Sequence, residues 1–135
     1  MPRAIAFLVA LSLSSLACRP TPAPPEHREA VPRQVGTWQG TGDRTLGFDS
    51  QSGRFRILWE TRPGAGDGDG RFRLTVQSGV SGRPLQEVVN HRGAGQGSVN
   101  FEDDPRLYQL LVESDGLSWS VTVDELVLVA RPSPP

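Results

Sequence analysis

Apolar residues recur at every second position through the middle of the chain, and clusters of Gly, Asp, Ser and Pro interrupt the runs. A period of two marks strands with one buried face, whereas a helical period is hard to find anywhere. The clearest strand is Arg54–Thr61, with Phe55, Ile57 and Trp59 on one face, followed by Arg71–Gln77 with Phe72, Leu74 and Val76. Leu85–Asn90, Ser98–Glu102, Leu107–Glu113 and Leu117–Asp124 continue the series, the last two facing Tyr108, Leu110, Val112 and Trp119, Val121, Val123 inward. Shorter strands are expected at Gly36–Gly42 and Thr45–Asp49, around Trp38, Leu46 and Phe48. About eight short strands joined by Gly-rich turns predict an all-β fold, a single jelly-roll-like β-sandwich of antiparallel strands. Gly53-Arg-Phe-Arg56 and Gly70-Arg-Phe-Arg73 echo one another through a shared strand-entry pattern, without enough further similarity for a repeat.

The flanks do not share this alternation. Met1-Pro-Arg3 is followed by the apolar run Ala4–Leu13 and the small residues Ser14, Ser15 and Ala17, the order of a secretory signal. The run is shorter than the roughly 20 residues that span a bilayer. It ends on Cys18, the one cysteine of the chain. Arg19–Arg33 contains Pro20, Pro22, Pro24, Pro25 and Pro32 and has no apolar period, which predicts an extended spacer. The expected organisation is a leader over 1–17, an anchor and Pro-rich disordered stalk over 18–34, the sandwich over 35–130, and a non-folding tail over 131–135.

Composition narrows the partners. The 14 basic residues are all Arg, a usage that reflects a GC-rich gene as readily as guanidinium chemistry. A formal net charge of -1 provides no basic excess of the kind nucleic-acid-binding domains carry, so no nucleic-acid partner is expected.

Ser15-Leu16-Ala17-Cys18 resembles the lipobox of bacterial lipoproteins, although Ser15 stands where that family prefers Leu. The resemblance implies a diacylglycerol thioether on Cys18, cleavage before it, fatty acylation of the new N-terminus, and a membrane partner through this lipid anchor. An ordinary secreted protein is the alternative, but it would carry an odd thiol that acylation removes. In such lipoproteins an Asp after the Cys signals inner-membrane retention; Arg19 implies an outer-membrane destination in a diderm host. Gly40-Thr-Gly-Asp43, Phe48, Trp59, Phe72-Arg-Leu-Thr-Val76, Gly95-Gln-Gly-Ser98, Leu107-Tyr-Gln-Leu110 and Ser118-Trp-Ser-Val-Thr-Val123 together resemble a recurring type of small exported bacterial β-sandwich protein. Pro105-Arg106-Leu107 departs from it, since a Gly usually precedes the Tyr.

Candidate chemistry is sparse. His27 falls in the stalk, so a Ser-His-Asp hydrolase would have to use His91, which reads as a solvated residue where a strand runs into a Gly turn. Glu102-Asp103-Asp104 supplies carboxylates, but adjacent positions in one loop do not make the opposed pair of a glycosidase. Zinc would need a Cys/His cluster; Asp67 and Asp69 are weak calcium candidates in a loop whose Asp-Gly pairs also favour turns. No cofactor is expected beyond the covalent lipid. If the two Arg-Phe-Arg strands pair as a hairpin, Arg54, Arg56, Arg71 and Arg73 project from one sheet face. Four guanidiniums there suit anionic or carbohydrate polymers of the envelope. A protein partner at this face or the Gly-rich loop is the other option, and Trp38 is a candidate sugar platform if exposed. The leading expectation is a non-catalytic interaction or structural domain displayed at the cell envelope.

Overall fold

The computed structural model describes residues 18, 20, 21, 27–65 and 69–131. The leader, residues 19 and 22–26 of the stalk, the loop residues 66–68 with the calcium candidate Asp67, and residues 132–135 lie outside the described residues. Eight strands follow in chain order: β1 (Arg28–Thr41), β2 (Arg44–Ser50), β3 (Arg54–Pro63), β4 (Arg71–Ser78), β5 (Pro84–Arg92), β6 (Gly95–Glu102), β7 (Arg106–Asp115) and β8 (Leu117–Ala130). They form two four-stranded sheets, sheet A in the order β1-β8-β3-β6 and sheet B in the order β2-β7-β4-β5. All neighbours are antiparallel. The pairs β1/β8, β2/β7, β3/β6 and β4/β5 are those of one long hairpin, rolled so that alternate pairs enter opposite sheets. This is a jelly roll, as the strand pattern predicts.

The alternating apolar residues meet between the sheets. Phe55, Ile57, Phe72, Leu74, Val76, Leu110, Val112, Val121 and Val123 are completely buried, with Leu46, Tyr108 and Trp119 almost so. Each large apolar side chain removed from water contributes about 1.5–3 kcal/mol. Tyr108 donates its hydroxyl hydrogen to the carbonyl of Asp104, and Phe48, Phe55 and Phe101 pack around its ring. Trp119 donates its indole N–H to the Gly42 carbonyl at 3.0 Å. Buried aromatic polar atoms are thus satisfied.

Two expectations about connectivity need correction. The Arg-Phe-Arg strands do not pair: β3 lies in sheet A between β8 and β6, and β4 lies in sheet B between β7 and β5. The second concerns residues 28–34, expected in the stalk. They form the first half of β1, paired from Arg28↔Ala130 to Gln34↔Asp124 along an equally unforeseen extension of β8. Pro32 is tolerated because β1 is an edge strand, where one side needs no N–H donor.

The registers define two ends. The β2–β3, β4–β5 and β6–β7 turns share the lower end with the start of β1 and the finish of β8. The β3–β8 pairing stops at Phe55↔Glu125, so residues 126–130 of β8 have only β1 beside them. At the root of this two-stranded ribbon Glu125 is fully buried. Its carboxylate accepts from the Arg33 guanidinium at 2.6 Å, the Ser52 backbone N–H at 2.7 Å and the Ser50 hydroxyl at 3.1 Å. Burial alone pushes the carboxyl up, but the bonds from Ser52, Arg33 and Ser50 prevail and hold it below its ordinary range.

Candidate functional site

The outer face of sheet A combines residues from all four of its strands. Facing Trp119, Val121 and Val123 inward sends Ser118, Ser120 and Thr122 outward along β8. Registry places Gln39, Ser120, Glu60 and Gln96 in one line across the sheet, with Thr37, Thr122, Leu58 and Ser98 in the next. Thr41, Ser118 and Arg62 align above them. Neighbouring lines stand about 6.6–6.8 Å apart and neighbouring strands about 4.8 Å.

Side-chain length turns this face into a trough. The short Ser and Thr side chains of β8 make the floor, while Gln39 and Thr41 on one side and Glu60 and Arg62 on the other make walls around a depression of ≈ 470 Å³. A second depression of ≈ 460 Å³ lies across Leu58 and Glu60, lined by Gln96, Ser98 and Thr122. Thr37 and Thr122 share a hydroxyl hydrogen bond of 2.9 Å, and Arg62 pairs with Glu60 at 2.9 Å. The side chains of Ser118, Ser120, Gln39 and Gln96 have no polar partner among the described residues, so their donors and acceptors are free for a ligand.

The predicted arginine cluster is not assembled. Arg54 and Arg56 project from sheet A, Arg71 and Arg73 from sheet B, on opposite sides of the sandwich. Three are matched to carboxylates: Arg54 to Glu102 at 2.8 Å, Arg56 to Asp124 at 3.2 Å, and Arg73 to Glu113, with Glu87 at 3.8 Å. Arg71 shares a depression with Asp43, Glu113 and Asp115. No four-guanidinium surface results, because the rolled hairpin separates β3 from β4.

The remaining candidates are held in local structure. His91 lies on β5 and is half-buried, its ring 5.0 Å from that of Trp59 and its Nε2 3.3 Å from the Ala94 carbonyl oxygen. It is therefore less solvated than expected, and no Ser, Asp or Glu side chain bonds to it among the described residues. Of the acidic trio, Glu102 engages Arg54, and Asp103 engages Arg106 and the Asp104 N–H. The Asp104 N–H, followed by Arg106, holds Asp103 below the usual carboxylate range. The Arg106 guanidinium also lies 5.4 Å from the Tyr108 ring centre. Asp69 is exposed, and no group of three metal-ligating side chains occurs among the described residues. Trp38 faces inward, half-buried, with its ring against Gly36, and offers no open platform. Cys18 is exposed and unpaired, ten residues before β1.

Comparison with protein-family models finds none that matches the chain, and none of the curated proteins matches it. The trough therefore has to be argued from its own chemistry. Its signal was present in Ser118-Trp-Ser-Val-Thr-Val123, where every outward position is a small hydroxyl residue. The walls were not legible, because β1 and β3 flank β8 only through pairings remote in sequence.

Proposed function

We propose that this protein is a cell-envelope lipoprotein, acylated at Cys18, that displays its jelly roll as a non-catalytic binding module. The observation that carries the reading is the lone cysteine directly after an apolar leader and close ahead of the first strand. An exported chain with one thiol has no internal disulfide to make, and acylation accounts for it. Two or three acyl chains give stable attachment where one gives only reversible binding. In a diderm host Arg19 directs the protein to the outer membrane. Mass spectrometry of the mature N-terminus from the native host tests this: a diacylglycerol adduct on Cys18, absent after Cys18→Ser, is expected. An unmodified Cys18 or a retained leader refutes it.

A second reading assigns a ligand, a neutral envelope glycan held in the trough over β8. Free hydroxyl and amide groups there match the donors and acceptors of sugar hydroxyls, and the unpaired Ser and Gln side chains contribute no charge to desolvate. This replaces the anionic-polymer reading, whose arginines lie on two faces. Calorimetric titration with chito- and malto-oligosaccharides is the test. Binding that is insensitive to salt and lost in Ser120→Arg, which fills the floor, supports it; no heat at millimolar ligand refutes it.

A further inference from the structure

Five large apolar side chains are strongly exposed among the described residues: Val31, Val80, Leu107, Leu128 and Val129. All five lie at the lower end of the sandwich. Val31, Leu128 and Val129 are on the β1/β8 ribbon, Val80 is in the β4–β5 turn, and Leu107 opens β7. Scattered exposed apolar residues need no explanation, but their gathering at one end does.

The ribbon is apolar on both faces. Registry puts Val31 and Val127, with Val129, on the side that continues the core, and Pro32, Leu126, Ala30 and Leu128 on the other. A folded partner docking flat would cover one side, whereas a lipid interface surrounds a narrow tip on both. The chain from Cys18 also enters at this tip, and the nine intervening residues, ten residue steps, reach no further than about 36 Å. Arg131 at the tip pairs with Glu29 at 3.1 Å, an exposed polar pair that can stay in the headgroup region while the apolar side chains seat beside it.

Depth is limited by the backbone. Residues 126–130 lack a partner on the β3 side, and β1 is open on its outer side. Unpaired N–H and C=O groups are not tolerated in hydrocarbon, but water and phosphates satisfy them in the headgroup region. We infer that the β1/β8 ribbon is a membrane-docking element that seats in the outer headgroup layer of the bilayer carrying the Cys18 anchor. This rests on the lipoprotein reading for its location. It fixes what a lipid anchor alone does not, the orientation of the domain: ribbon down, and the trough, toward the upper end, presented away from the bilayer.

The test uses the chain from residue 18 with Cys18→Ser, behind an N-terminal hexahistidine tag, which keeps every strand and removes any dependence on acylation. A nitrobenzoxadiazole label is placed on Leu128→Cys, or on Thr41→Cys at the upper end. The protein is captured on phosphatidylethanolamine/phosphatidylglycerol vesicles containing nickel-chelating lipid. A blue shift and a several-fold rise in fluorescence at position 128, with none at 41, is expected. Identical spectra on vesicles and in solution at position 128, or equal shifts at both sites, overturn the proposal. So does a shift at 128 that grows with protein concentration without vesicles, which would make a second copy the occupant. Failure here leaves the mass-spectrometric result for Cys18 untouched, and the converse also holds.

Discussion

Replacing Glu125 tests the reasoning about the root of the ribbon most directly. The carboxylate is buried and accepts three hydrogen bonds, from Arg33, Ser50 and Ser52. Glu125→Gln keeps the shape but turns charge-assisted bonds into neutral ones, a loss of about 1 kcal/mol each. The Arg33 side chain is 59% exposed, so its share is that of a surface pair, at most about 1 kcal/mol. Relief of the buried charge offsets part of this, leaving a net loss of about 1–2 kcal/mol. In a domain of this size each kcal/mol lowers the Tm by about 4–8 °C. Glu125→Ala also strands the Ser52 N–H and should cost about 3–5 kcal/mol. The pH dependence follows from the lowered proton affinity in the folded state. The unfolded chain protonates Glu125 first, so the contribution is complete above the ordinary glutamate value of about 4.3 and is lost as pH falls through the lower folded value. Calorimetric melts of wild type and Glu125→Gln should therefore differ most near neutral pH and converge in acid. A gap that is independent of pH, or a Glu125→Gln Tm within about 2 °C of wild type at pH 7, would refute the assignment.

Other substitutions probe the turns and the core. Gly53 has φ +70°, and a Cβ there would strike the Asp103 carbonyl oxygen, so Gly53→Ala should cost more than about 1 kcal/mol in a denaturant melt. Gly47→Ala, on an open outward position of β2, should instead stabilise by about 0.4–1 kcal/mol. Tyr108→Phe removes the donor to the Asp104 carbonyl and should lower stability by about 0.5–1.5 kcal/mol while leaving the circular dichroism of the sheet unchanged. Arg73→Gln, which breaks a solvent-screened pair with Glu113, should lower the denaturation midpoint only slightly, and by less in high salt.

Strand identity was legible wherever a strand has one wet face and one dry face. Phe55/Ile57, Phe72/Leu74/Val76 and Trp119/Val121/Val123 alternate because sheet B covers sheet A and solvent covers the rest. The same logic fails on the ribbon, where Leu126-Val127-Leu128-Val129 is apolar on both faces and Val31 stands alone beside Pro32. No period-two signal marks it, and its proline reads as spacer. Pairing was illegible for another reason. Strands adjacent in sequence invite a hairpin, yet β3 finds β8 and β6, and side-chain alternation carries no information about which strand comes alongside. The arginine face failed with that assumption, whereas the hydroxyl floor, which no sequence expectation named, lies within β8 alone and does not depend on it.

The place of β8 between β1 and β3 also sets an order on self-assembly. Its contacts reach far along the chain, as between Arg33 and Glu125, 92 residues apart. Folds dominated by such distant pairings form slowly, over milliseconds to seconds. A chain made from its N-terminus has β1 and β3 in hand long before the strand that joins them, and their open edges meanwhile invite wrong partners. Only when the last strand is complete does sheet A exist at all, and the trough whose floor is that strand exists no earlier.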